Sequence, residues 1–358
     1  MIDLMDLIQR EEFKKYFCQR IAKGCGNPNY APPLTYPPLY KYRSLSKHAM
    51  SDVMSGTVTA TAIGDFNDIF DGAIQQYGTQ EEIDNAIDLK WEHFEQLRIA
   101  AGLADELLTR DQLAGMYQDY YKTESKIRFR MLDYLGMYVS CFSSHNDSTL
   151  MWAHYADENR GMCIEYDFNL LEESSIFRNL IYPVVYTGVP IDVSDLVEDK
   201  DGKVYPYPID AAVMCTALNK ASIWSYEHEW RMVCMLFSGG ELERRLPLKP
   251  GITPQRVLLG YHFLKPFFYY NFKNNDEWKR IEKHLELFNA FLVYLNENEI
   301  QLGVMVPEIG NYRLKPQSIR VDSLRSFMIS HFRDNRPNSI RYYNTVHDWL
   351  MDLLDKEN

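Results

Sequence analysis

Apolar and polar positions alternate along this chain in short runs, separated by stretches with helical spacing. Strict alternation over four to eight residues marks strands with two different faces, and recurrence at three and four marks helices. Tyr40-Lys41-Tyr42-Arg43 predicts a strand with Lys41 and Arg43 on one face and both tyrosines on the other. Further strands are predicted at 57–62, 137–143, 161–167, 182–186, 231–237, 244–248, 256–261, 301–307 and 312–316. Helical spacing predicts helices over 3–22, 46–55, 79–101, 103–135, 148–157, 210–222, 276–298 and 345–354. Ser46 and Ser148 are placed as N-caps, Gly56 closes the first of their helices, and Thr79-x-x-Glu82 reads as a capping box.

The strands do not alternate regularly with helices, and no G-x-G-x-x-G or Walker loop is present. The fold class expected is therefore α+β, a mostly antiparallel sheet system with helical insertions. Residues 1–38 read as an N-terminal helix and linker. Residues 39–316 read as one domain with a helical insertion at 79–135, and 317–358 as a C-terminal helical extension.

Trp224 to Val233 departs most from an ordinary core strand. Read as a strand, it puts Glu227, Glu229 and Arg231 on one side and Tyr226, His228 and Trp230 on the other. Glu and Arg are rarely buried unless paired or functional, so this face is either a site or a structural ion pair. Asp65-Phe-Asn-Asp-Ile-Phe-Asp71 supplies oxygen donors but lacks the glycine a calcium loop needs at its sixth position, which is Phe70. A turn capped by its own side chains is expected there. Lys220 reads as a surface residue, and His154 and His228 as core or rim histidines.

The 358 residues have 46% hydrophobic and 25% charged content, ordinary for a globular protein. The net charge of −12 argues against a nonspecific nucleic-acid coat, which needs a basic surface. The six cysteines are scattered, with no C-x-x-C pair, and read as free thiols of a reducing compartment. No signal-peptide pattern is found, and no apolar run approaches the roughly 18 residues of a membrane span. A cytoplasmic protein without a membrane partner is expected.

In order, Tyr40-Lys-Tyr-Arg43, Phe66-Asn-Asp-x-Phe-Asp71, Ser140-Cys-Phe-Ser143, Met151-Trp-Ala-His-Tyr155, Gly161, Lys220, Trp224, Tyr226-Glu-x-Glu-x-Arg231 and Leu259-Gly260 resemble a bacterial family, domain-of-unknown-function family 2971, from about residue 39 to 316. A second resemblance is to ADP-ribosyltransferases of the arginine–serine–glutamate type. It rests on Arg43, then Ser140 or Ser143, then Glu227-His-Glu229. That resemblance implies a split-barrel sheet, NAD as substrate, and a toxin or phage-defence effector acting on a macromolecular acceptor. It would place Arg43, with Lys41, on the NAD diphosphate and a serine on the nicotinamide ribose. Trp152 or Tyr155 would lie against the nicotinamide ring, Glu229 on the ribose 2′-hydroxyl, and Glu227 on the incoming nucleophile. The chain departs from the pattern in lacking the Ser-Thr-Ser triplet, in the hundred or so residues between Arg43 and the serines, and in Arg231 following the two glutamates. Two alternatives remain open: a noncatalytic module that binds a nucleotide or other small molecule, and a hydrolase using Glu227 and His154.

Overall fold

The computed structural model describes residues 35–72, 74–75, 137–192, 214–235, 245–268, 275–334 and 340–357, apart from positions 69 and 174, with scattered positions between 81 and 115. The expected N-terminal helix and most of the expected insertion at 79–135 lie outside the described residues.

The predicted alternation becomes two cores on opposite sides of one sheet. In β1 (Leu39–Arg43), Leu39 joins a large core while Tyr40 and Tyr42 join a small one. β2 (Val58–Ala62) follows the helix Lys47–Met54, whose N-cap Ser46 accepts a hydrogen bond from the Ala49 amide. After the two-residue β3 (Ile74–Gln75) comes β4 (Met137–Ser143), and after it the helix Thr149–Tyr155, capped by Ser148. In β5 (Met162–Tyr166), Met162, Ile164 and Tyr166 face the large core and Cys163 the small one. β6 (Ile181–Pro183), β7 (Val185–Thr187) and β8 (Ile191–Asp192) are short. β9 (Asn219–Ala221) precedes β10 (Glu229–Met235). The chain then adds β11 (Arg245–Leu248), β12 (Arg256–Leu259), the long helix Asn275–Glu297, β13 (Gln301–Pro307) and β14 (Leu314–Ser318). Two helices, Val321–Asp334 and Ile340–Glu357, close it.

Ten of these strands form one open sheet in the order β11-β2-β4-β1-β5-β12-β13-β14, with β10 on β4 and β6 on β10. All pairings in it are antiparallel except β12 with β13. The fold is α+β, with an open sheet. β4 is its hub. β10 pairs along the whole of one β4 edge, from Met137 to Ser143. The other edge is shared: β2 pairs at Tyr138 and Val139, and β1 pairs at Ser143. Between those points the two strands part.

Three expectations are corrected. Residues 182–186 are two strands rather than one, because the Val184 amide turns to donate to the Glu229 carbonyl. Residues 214–218 are helical, but the helix expected to run to Ser222 gives way to β9, which pairs in parallel with β7. Glu227 is not in a strand: Ser222–Glu227 form a 3-10 turn, and His228 at φ 44° reverses the chain before β10 starts at Glu229. The helix Val321–Asp334 lies within residues 317–358, read as a helical extension, and buried Val321, Leu324, Phe327 and Met328 carry its period.

Two glycines fix close approaches. A Cβ on Gly161 would overlap the Arg43 carbonyl oxygen and lie 2.8 Å from that of Ala156. One on Gly260 would overlap the Asn159 carbonyl. Gly161 thus lets the end of the helix Thr149–Tyr155 close on the end of β1. Gly161→Ala is expected to cost about 1–3 kcal/mol in urea unfolding, the typical range for overpacking. Gly188→Ala, where a Cβ meets nothing within 4 Å, is expected to change stability by less than about 0.5 kcal/mol. Equal effects at the two positions would show that the Gly161 contact is relaxed in solution.

Candidate functional site

A cavity of about 350 Å³ opens where β1 and β2 part over β4. Tyr42, Phe66, Phe142 and Tyr155 contribute aromatic wall, and Lys41, Lys220, Glu227 and Glu229 contribute charge. The volume falls within the range of small-molecule sites.

Arg231 anchors the polar end. It is fully buried, and its guanidinium donates to both oxygens of Asp71, at 2.8 and 2.6 Å. It also reaches both oxygens of Glu229, at 2.9 and 3.1 Å, and the Ala217 carbonyl at 2.7 Å. Asp71 is brought there by the turn after β2, which Asp68 caps through the Phe70 amide. The expected self-capped turn is present, and its purpose is to aim Asp71 at Arg231. Lys220, expected at the surface, is buried: it pairs with Glu227, with Glu229 at 3.0 Å, and lies 3.8 Å from Asp71. β9 carries it inward, and no local spacing in the sequence announces that.

Glu227 and Glu229 are both buried but differ in environment. For Glu229, burial opposes ionisation, but the Arg231 and Lys220 charges outweigh it and hold the carboxyl at about 2. For Glu227, burial and the neighbouring Glu229 prevail over Lys220, and its carboxyl is pushed above the usual range. The Tyr155 hydroxyl donates to Glu227 Oε1 at 2.6 Å, and the Ser143 hydroxyl donates to the Glu227 backbone carbonyl at 2.6 Å. Burial, with the adjacent Glu227, raises Tyr155 well above its ordinary value, so it stays a donor.

The remaining predicted site residues divide. Lys41 lines the cavity and bonds Ser140 Oγ at 2.6 Å. Ser140 therefore holds a lysine in place, while Ser143 lines the cavity and positions Glu227. Arg43 is not among the cavity-lining residues; it pairs with Asp52 at 3.2 Å, and Asp52 also takes the Thr59 hydroxyl at 2.6 Å. Trp152 is wholly enclosed, edge-on to Tyr42 with ring centroids 5.3 Å apart, its indole nitrogen on the Asn146 carbonyl. Its ring is packing; of the two expected platforms only Tyr155 meets the cavity. His154 bonds the Tyr226 hydroxyl at 3.2 Å. Among the described residues, no group of three His, Cys, Asp or Glu side chains is placed to hold a metal ion.

Residues 151–232 match the family model described as "Protein of unknown function (DUF2971)". Over this segment the chain is similar to that family. The match is shorter than the span of 39–316 expected from the motifs. The matched segment carries Tyr155, Lys220, Glu227, Glu229 and Arg231, while Lys41 and Asp71 reach the same site from outside it. No curated protein and no solved structure matches the chain.

The lowered Glu229 carboxyl has a consequence for stability. A carboxyl whose folded value lies below its unfolded one stabilises fully above the unfolded value, here 4.5, and loses that contribution as pH falls through about 2. The difference in unfolding free energy between the parent and Glu229→Gln is expected to be largest near neutrality. It should shrink by on the order of 3 kcal/mol as pH falls through this window. Urea titrations across the window measure it, and a constant gap would mean that Glu229 is not ionised in the folded protein.

Proposed function

We propose that the cavity binds a nucleotide and that the chain is an NAD-dependent ADP-ribosyltransferase-like protein with Glu227 as its principal catalytic residue. One observation carries this reading. Three buried carboxylates, Asp71, Glu227 and Glu229, are ion-paired with two buried cations, Lys220 and Arg231, leaving this cluster with an excess of one negative charge when all are ionised. The excess falls on Glu227, which shares Lys220 with Glu229 and is not reached by Arg231, whereas Arg231 takes both oxygens of Asp71 and of Glu229. A ligand with a positive ring supplies the missing cation, and an aromatic wall favours such a ring. A pyridinium joined to a diphosphate has this character.

As the nicotinamide leaves, positive charge moves from the ring to the ribose carbon, and an ionised Glu227 stabilises it there. Tyr155 holds the carboxylate in orientation. Glu229, which the resemblance assigns to the ribose hydroxyl, acts instead through Arg231 and Lys220 to keep the site in shape. Lys41 stands in for Arg43 toward the diphosphate, whose charge supplies the counter-ion its ammonium lacks. The acceptor is a macromolecule. The free Cys141, Cys163, Cys215 and Cys234 support a reducing, cytoplasmic setting. Among the described residues, no helix is long and apolar enough to cross a membrane.

The saturated pairing around Arg231 favours a second reading, a noncatalytic nucleotide-binding module. The two are separated by incubating the protein with NAD and measuring free nicotinamide together with binding by calorimetry. Release by the parent that falls about 100-fold or more in Glu227→Gln, with binding retained, is the expected result. Activity should also rise with pH as Glu227 ionises, above the ordinary carboxylate range. Binding without release selects the module, and neither binding nor release overturns both readings for NAD.

A further inference from the structure

Two buried lysines line this cavity in opposite surroundings. Lys220 is ringed by Asp71, Glu227 and Glu229, and their charges outweigh burial to hold its proton more firmly than usual. Lys41 makes no ion pair among the described residues. It enters the gap where β1 and β2 part, donating to Ser140 Oγ at 2.6 Å and to the Cys141 carbonyl at 3.3 Å. Phe142 lies beneath it, its ring centroid 5.0 Å from the nitrogen. These partners occupy two of the three hydrogen-bonding positions on the amine, leaving one for the cavity.

A buried ammonium without a counter-ion is disfavoured relative to the neutral amine. Burial, aided by Arg43 on the same strand, lowers Lys41 to about 8. Cys141 on β4, Asp52 at the helix before β2 and Glu229 on β10 favour its cation but do not restore the ordinary value. The Ser140 hydroxyl can accept from an ammonium or donate to an amine, so this contact survives loss of the proton. A pair of like groups pushed apart by environment divides the work: Lys220 is the fixed cation, and Lys41 is the group able to lose its charge.

We propose that Lys41 is a nucleophilic amine that condenses with an aldehyde or ketone carbonyl of a ligand in this cavity. Its lone pair forms a bond to the carbonyl carbon, the carbonyl oxygen takes up a proton, and the nitrogen gives one up. The resulting carbinolamine loses its hydroxyl as water, with a proton supplied by a cavity acid, and leaves an iminium ion, which becomes the imine when its nitrogen returns a proton to the conjugate base of that acid. Glu227, held above the usual carboxylate range, is the acid on the same wall. The reaction needs no oxidant and no N-glycosidic bond, so it goes beyond the NAD reading. The ligand decides between the two roles: a phosphate keeps the proton on Lys41, whereas a neutral carbonyl does not.

The test is reductive trapping with glycolaldehyde and cyanoborohydride on the parent protein, followed by proteolysis and mass spectrometry. The expected result is hydroxyethylation of Lys41 about ten-fold faster than of exposed Lys249 and Lys279 near neutral pH, because burial leaves more of the Lys41 amine unprotonated than in an ordinary lysine. Its rate should level off above about pH 8. Labelling of Lys41 no faster than of Lys249, or only after denaturation, would overturn the proposal and leave Lys41 as a plug in the strand gap. The readout needs no variant to fold and no NAD, so its failure is distinguishable from failure to release nicotinamide.

Discussion

The site depends on one buried guanidinium. Arg231 has no exposure, and it meets two carboxylates in bidentate fashion and one backbone carbonyl. Arginine suits this position because its planar fork can satisfy several acceptors without reorienting. Taking the charge out of water is costly, and only such complete pairing offsets it; removing one partner from such a cluster typically costs 3–5 kcal/mol. Asp71 and Arg231 are far apart in sequence. Their contact ties the turn after β2 to β10, and that contact closes the polar end of the cavity.

Around this anchor, similar side chains come to differ. Glu229 is neutralised by Arg231 and Lys220 and holds the fold, whereas Glu227, one turn away on the 3-10 segment, keeps a raised carboxyl beside Tyr155. Lys220 keeps its proton and Lys41 is poised to lose one. The divergence comes from the number of opposite charges near each group, since all four are buried. Chemistry in such a site falls to the members left underpaired.

Backbone geometry supplies the opening. β4 gives one whole edge to β10 and divides the other between β1 and β2, so the two strands must part. A parted sheet exposes carbonyls that a continuous ladder would satisfy, and Lys41 takes the one on Cys141. The same parting makes room for the cavity, so the cost in unmade ladder bonds and the space for a ligand have a common origin.

The alternating runs at Tyr40–Arg43, Met137–Ser143 and Gln301–Pro307, and the caps at Ser46 and Ser148, were legible because they depend on local periodicity and local hydrogen bonds. The pairing of Glu229 with Arg231 could also be anticipated, since residues two apart on a strand share a face. The sequence further singled out Lys41, Tyr155, Ser143 and Glu227 as site residues. It did not reveal that Lys220 turns inward, that Asp71 crosses to Arg231, that Arg43 turns to Asp52, or that Trp152 is enclosed. Nor did it reveal the reversal at His228, which takes Glu227 off the strand yet keeps it in the cavity. These outcomes depend on which distant strands pair and on the balance of burial against counter-charge in three dimensions. Residue type and spacing determined the available groups; only tertiary packing decided which of them were neutralised and which were left to react.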